Sequence, residues 1–249
     1  MVDIPAYLAR IAYVGSTEPS LSTFRAIHRA HLFAVPFENL DIALGRRIVI
    51  NEATIVEKVV TRRRGGFCYE LNSAFAALLR ALGFQVTLLS ARVARANGGE
   101  GPEFDHLALQ VDLEDPWLAD VGFGESFLEP LRLEPGINQL DPVGTFRLAE
   151  KGDRLQMERA TSEGWKPQYS FSLQPRGLED FSGMCRYHQT SPESHFTQNR
   201  ICSRATPDGR KTLSGMKLIT TASGKREERV LLSQEEWVSV LREQFGIDL

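Results

Sequence analysis

The chain has 249 residues, 42% of them hydrophobic and 24% charged, the composition of a soluble globule with one large domain or two to three small ones. Its 29 basic and 32 acidic residues leave a net charge of −3, so it has no cationic excess to set against a nucleic-acid backbone. Three cysteines, Cys68, Cys185 and Cys202, are too few and too odd for a secreted disulfide framework. The start, Met1 to Pro5, lacks a signal-peptide pattern, and no apolar run nears the roughly 20 residues of a membrane span. A reducing cytoplasm is the expected compartment.

The first 83 residues predict helices. Phe24, Ile27, His31 and Leu32 approximate one stripe. Asn51 is placed to cap a helix carrying Ile55, Val56, Val59 and Val60, with Lys58 and Arg62 to Arg64 towards its end. After Cys68, the residues Leu71, Ala74, Phe75, Leu78, Leu79 and Leu82 form one broad apolar face, and Gly83 stands at the C-terminal cap. The period then shortens to two: Phe84, Val86 and Leu88 alternate with Gln85 and Thr87. A glycine-rich loop at Asn97 to Pro102 precedes two strands, His106 to Leu113 and Trp117 to Phe123. Further strands are expected at Thr145 to Leu148, Leu155 to Arg159 and Gln168 to Leu173. Leu213 to Thr221 and Arg229 to Leu232 flank a hairpin turn at Ala222 to Lys225. The last helix opens on a Ser233–Glu236 capping box with a Leu232–Trp237 staple, and Gly246 closes it. Helices, then strands, then a strand–helix end make an α+β pattern.

Cys68 has two readings. A lone cysteine is commonly a small buried hydrophobe. This one, however, follows Gly65-Gly66 and opens a helix, whose N-terminal dipole favours a thiolate, with three arginines just before it. Of the five histidines, His28 and His31 share a helix without a second ligand pair, so packing is expected rather than metal binding. His188 and His195 fall in a polar stretch and read as ordinary exposed side chains. His106 shares a strand face with Ala108 and Gln110. If the next strand pairs so that residue numbers sum to 226, His106 stands opposite Asp120. Sequence leaves that register open. Thiol, imidazole and carboxylate form a set for acyl transfer, but Cys, His and Asp occur together in most chains.

The wording around these residues is more specific. Arg64-Gly65-Gly66-Phe67-Cys68-Tyr69-Glu70-Leu71-Asn72 resembles the nucleophile motif of the arylamine N-acetyltransferases. Val35 to Leu40, His106 at its strand start, Asp120 to Gly124, and Ser191-Pro192 with Ser194 to Thr197 match that family in the same order, over nearly the whole chain. The resemblance implies a helical bundle with the nucleophile helix (1–83), a β-barrel-like domain (84–195) and an α/β lid (196–249), around a papain-like thiol-enzyme core. It implies a ping-pong reaction: Cys68 takes an acetyl group from acetyl-CoA and passes it to an arylamine, arylhydrazine or arylhydroxylamine. His106 would activate Cys68, and Asp120 would orient His106. Gly122, Phe123 and Gly124 look like the coenzyme A loop, and Phe37, Phe123 and Phe196 like the aromatic lining for the acceptor. Glu38 and Asn39 are expected to satisfy backbone groups near Pro36. The expected partners are coenzyme A and a small aromatic amine or hydrazine, with no metal, nucleic acid or membrane. Asp105, Glu125 and Glu129 put negative charge near the proposed cofactor loop. The cations that would meet its phosphates are sought among Arg62 to Arg64, Lys211, Lys217 and Lys225. A thiol hydrolase or transglutaminase-like enzyme with the same triad, and a catalytically inert binding protein, are the competing readings.

Overall fold

A computed structural model describes residues 2–96 and 98–249. Met1 and Asn97, the first residue of the expected Asn97–Pro102 loop, lie outside the described residues.

The chain begins with helices α1 (Ile4–Arg10), α2 (Leu21–Ala34), α3 (Leu40–Ala43), α4 (Glu52–Val60) and α5 (Cys68–Ala81), interrupted by a two-residue strand β1 (Phe37–Glu38). Their starts follow capping chemistry: Ser20 and Asn51 accept backbone N–H bonds from Thr23 and Thr54. Helix α5 departs from the simple amphipathic expectation. Every residue from Cys68 to Leu79 is buried, because α4, the strands and α1 enclose the helix. Its polar residues therefore face protein, and each needs a partner. Gly83, with φ +92°, releases the chain into the first long strand.

An eight-stranded antiparallel sheet comes next. It comprises β2 (Gln85–Val93), β3 (His106–Asp112), β4 (Pro116–Ala119), β5 (Leu131–Arg132), β6 (Gln139–Asp141), β7 (Gly144–Lys151), β8 (Arg154–Thr161) and β9 (Gly164–Arg176), in the order β5-β4-β3-β2-β9-β8-β7-β6. The outer strands β5 and β6 approach each other. The Gln139 side-chain amide accepts from Arg132 N (2.7 Å) and donates to Arg132 O (3.0 Å), so the sheet is nearly a closed barrel. Strand β3 is buried on both faces. Leu107, Leu109 and Val111 pack on the helices, while Ala108 joins Leu89, Leu118, Phe127, Phe146 and Phe171 inside the barrel.

After α6 (Ser182–Thr190) and the short α7 (His195–Gln198), strands β10 (Ile201–Thr206), β11 (Gly209–Ser214), β12 (Lys217–Ala222) and β13 (Lys225–Val230) form a second antiparallel sheet, and α8 (Gln234–Phe245) packs on it. Strand β1 adds to the outer edge of β10, with Phe37 opposite Ser203. No helix among the described residues is long and apolar enough to cross a membrane.

Three local expectations change. The stretch Leu213–Thr221 is two strands, split by a turn at Gly215 (φ +55°). The strand expected at Trp117–Phe123 ends at Ala119, and Asp120 to Phe123 form a loop. The Leu232–Trp237 staple is not made. Leu232 is 90% exposed, and its N–H instead donates to the Glu236 carboxylate (2.7 Å).

Candidate active site

Cys68 is the first residue of α5, where backbone N–H groups lack partners within the helix and the dipole is positive. Its place is set by a buried ionic cluster. Glu70 accepts from Phe67 N (3.2 Å) and pairs with Lys58 (2.7 Å); Lys58 also holds Asp41 (2.6 Å), and Arg64 holds Glu38 (2.8 Å) and Asp41 (3.1 Å). Burial pushes Glu70 up to about 7, against the pull of Lys58. Glu38 also accepts from Leu40 N, in the turn after Pro36 as expected, whereas Asn39 bonds the distant backbone of Phe196 O, Asn199 O and Ile201 N instead. Two of the three arginines before Cys68 do not serve it as anticipated. Arg64 is neutralised by Glu38 and Asp41, and Arg62 is exposed and bonded to Glu57.

The His106 Nε2 N–H donates to Asp120 Oδ2 at 2.7 Å, and both side chains are buried. The route to this contact differs from the expected one. The β3–β4 ladder pairs Leu109 with Ala119, a sum of 228, and stops there. Asp120 thus reaches His106 diagonally from the loop beyond β4. The parity is unchanged, so both side chains still share a face. Asp120 Oδ1 accepts from Asn72 Nδ2 (2.9 Å) and Gly122 N (3.0 Å), and its own N–H donates to His28 Nε2 (3.2 Å). Burial alone would raise the Asp120 carboxyl, but His106 and these donors hold it below the usual range. The opposite holds for the imidazole. Burial opposes its charge, yet the Asp120 carboxylate carries it up to about 10. Cys68, which lines the same cleft, adds to the upward pull on the ring. With Nε2 committed to Asp120, Nδ1 is the nitrogen left open for a partner.

Gly122 has two constraints. A Cβ there would stand 2.8 Å from both Cys68 Cα and Asn72 Nδ2, and its N–H is taken by Asp120. Gly122→Ala is therefore expected to cost about 1–3 kcal/mol by overpacking and to displace Cys68 from His106. A thermal melt and the rate of Cys68 alkylation measure both effects. An unchanged melting temperature and alkylation rate would contradict the packing.

Cys68 and His106 line a cleft of about 1390 Å³, together with Phe37, Phe123, Phe196 and Gly122 to Gly124. The ring of Phe123 lies 5.2 Å from that of His106, and Phe196 lies 6.1 Å from Phe37. The other two thiols are elsewhere. Burial pushes Cys185 up to about 12, and Cys202 rises well above the usual range inside the second sheet's core.

The structure also corrects the histidines. His188 is buried on α6 and lines the cleft, its Nε2 3.1 Å from Asp105 and its Nδ1 3.2 Å from Ser194 Oγ. Residues not anticipated for the site are His28, Asn72 and Tyr169. Asn72 stands one turn after Cys68, a spacing that sequence displays. His28 meets Asp120 across 92 positions, and no local pattern announces that. Tyr169 packs its ring 5.1 Å from His106, and burial followed by the Asp120 charge pushes its hydroxyl up.

A buried thiol at a helix start, against an imidazole held by a carboxylate, has the parts of an acyl-transfer centre. A family model described as N-acetyltransferase matches residues 20–249. An arylamine N-acetyltransferase of Escherichia coli is 36% identical over 245 residues, covering 97% of this chain and 87% of that protein. One from Mycolicibacterium smegmatis is 36% identical over 255 residues, covering 100% and 93%. Among solved structures, the Salmonella typhimurium arylamine N-acetyltransferase superposes with a TM-score of 0.93 at 34% identity, covering 98% and 90% of the two chains. The Mycobacterium marinum enzyme in complex with CoA gives 0.92 at 34% identity, covering 98% and 93%. The chain belongs to the arylamine N-acetyltransferase family.

Proposed function

We propose that the protein transfers acetyl from acetyl-CoA to arylamines, arylhydrazines or arylhydroxylamines through a thioester on Cys68. The observation that carries this reading is the Asp120–His106 hydrogen bond of 2.7 Å, with Cys68 lining the same cleft as that ring. Asp120 holds one ring proton on Nε2, and the proton affinity that its carboxylate gives the ring lets Nδ1 keep the thiol proton, so that an imidazolium stands beside the attacking sulfur. The thiolate attacks the thioester carbonyl of acetyl-CoA, and the helix N-terminus stabilises the oxyanion. The C–S bond to coenzyme A breaks, and its sulfur leaves with the proton from His106. In the second half-reaction the amine nitrogen attacks the Cys68 thioester. His106 takes the N–H proton and returns it to the departing Cys68 sulfur.

Phe37, Phe123 and Phe196 are proposed to line the acceptor site, since an aromatic wall suits a flat apolar amine. Gly122, Phe123 and Gly124 are proposed as the coenzyme A loop. Gly124, at φ +90°, supplies a turn without a side chain beside Phe37. Cys68, Cys185 and Cys202 are all unpaired, as a reducing compartment keeps them, which supports the cytoplasm.

Incubation with acetyl-CoA alone is expected to release one equivalent of coenzyme A and leave an acetyl group on the Cys68 peptide. Adding an arylamine should discharge it with formation of the amide. Amine-independent release beyond one equivalent, with turnover of glutamine-bearing peptides, would instead mark a hydrolase or transglutaminase-like enzyme.

A further inference from the structure

A coenzyme thioester carries several phosphate charges, and the cations first considered for them do not face the cleft. Strand alternation sends Lys211 to the helix side of its sheet, where its Nζ bonds Gln244 on α8 (2.6 Å). Lys217 lies 3.7 Å from Glu228, and Lys225 sits at an exposed hairpin end. Arg62 and Arg64 are engaged with Glu57, Glu38 and Asp41.

The same alternation turns Arg210 the other way. Ser203 on β10 and Arg210 and Thr212 on β11 all line the cleft. Ser203 pairs with Thr212 across the ladder, and their hydroxyls lie 2.7 Å apart. Arg210 Nη1 donates to Ser203 Oγ at 3.0 Å. That partner is neutral, and among the described residues no carboxylate lies within ion-pair distance of Arg210. Glu125, the acid whose charge it feels, is already bonded to Arg159 at 3.0 Å. A half-buried guanidinium with four further N–H donors and no anion is a site in want of one.

An unbroken path joins this site to the sulfur. Gly122 packs on Cys68, Gly124 lies 3.8 Å from the Phe37 ring through the position of its absent Cβ, and Phe37 pairs with Ser203. We propose that Arg210, assisted by the Ser203 and Thr212 hydroxyls, forms a subsite that binds a phosphate group of the acyl donor. The nucleotide end of the donor then lies over β10 and β11 while its thioester reaches Cys68. The guanidinium fork matches two phosphate oxygens at once. The subsite rests on the acetyl-CoA reading above.

The test compares acetyl-CoA with S-acetylpantetheine, which carries the same thioester arm and no phosphate. Acetylation of Cys68 by each donor is followed in wild type, Arg210→Ala and Arg210→Lys, and the ratio of the two kcat/KM values is taken. Arg210→Ala is expected to reduce the preference for acetyl-CoA at least about tenfold, with partial recovery in Arg210→Lys. Labelling by S-acetylpantetheine reports that each variant is folded with its thiol in place. Arg210→Gln, which still donates to Ser203, gives the same reading should the alanine variant fail to fold. An alanine or glutamine variant that keeps the wild-type ratio overturns the subsite alone. A wild type acetylated by neither donor overturns the donor assignment and the subsite with it. 3′-Dephospho acetyl-CoA, compared in wild type and Arg210→Ala, separates the phosphates. An Arg210→Ala loss that disappears with this donor places the 3′-phosphate on Arg210, and a loss that persists undiminished places the pyrophosphate there.

Discussion

Cys68→Ala is expected to yield no acetyl-enzyme and to lower amine acetylation by at least about a thousandfold, because the two-step route through a thioester is lost. The fold should survive, since the change removes one atom from a residue that is 4% exposed. No other thiol can substitute. Cys185 is bonded by Gln189 and shifted up to about 12, and Cys202 is enclosed behind β10. Cys185→Ser and Cys202→Ser are therefore expected to form the acetyl-enzyme normally. Mass spectrometry of the intact protein after exposure to acetyl-CoA reads all three variants. Activity of Cys68→Ala within tenfold of wild type would remove the thioester from the scheme.

Asp120→Asn is expected to lower the rate by about 10³–10⁴. The hydrogen bonds around residue 120 explain why. Its Oδ1 already accepts from Asn72 and Gly122, so an asparagine keeps its carbonyl oxygen there and turns its NH₂ towards His106. Nε2 must then accept a bond it formerly donated. The neutral ring carries its proton on Nδ1 and cannot take one from Cys68. The same substitution has a signature in stability. In wild type the folded His106 binds its proton more tightly than the unfolded chain does. That contribution is complete below about pH 6.5 and is lost as the pH rises towards about 10. Urea midpoints across that range should fall in wild type and flatten in Asp120→Asn. A variant with near-normal kcat/KM and the wild-type pH slope would mean that Asp120 does not govern the imidazole.

Local order was legible where one element imposes one period. The apolar recurrence from Leu71 to Leu82 marked α5, Asn51 marked the start of α4, and Gly246 adopts the left-handed cap at φ +70° that its position implied. The pairing of His106 with Asp120 was legible only as parity. The structure moved the register by two and kept the contact, because Asp120 leaves the ladder before reaching it. Burial was the weak point. His188 has polar neighbours in sequence but lies between the rings of Tyr69 and Phe196, contributed by other elements. Arg210 and Lys211 are adjacent and equally basic. Only the pleat and the position of α8 decide which of them faces the cleft. Leu232 departs for the complementary reason: its spacing suits a staple, but its side chain is left 90% exposed.

The pairing of β1 with β10 has a consequence for assembly during synthesis. Asn39 receives the Ile201 N–H from 162 positions further on, and its amide also holds the carbonyls of Phe196 and Asn199. The backbone bonds of α5 are local and the helix is made early in the chain, whereas contacts as distant as those of Asn39 close late and slowly. The ribosome thus produces the helix bearing Cys68 well before β10, which contributes to the wall of its cleft. Until β10 emerges and docks, Phe37 and Phe196 have no fixed relation, and a nascent chain carries the Cys68 thiol without its shelter. Asn39 thus fastens β1 to the segment from Phe196 to Ile201, a join that can be made only after β10 has been synthesised.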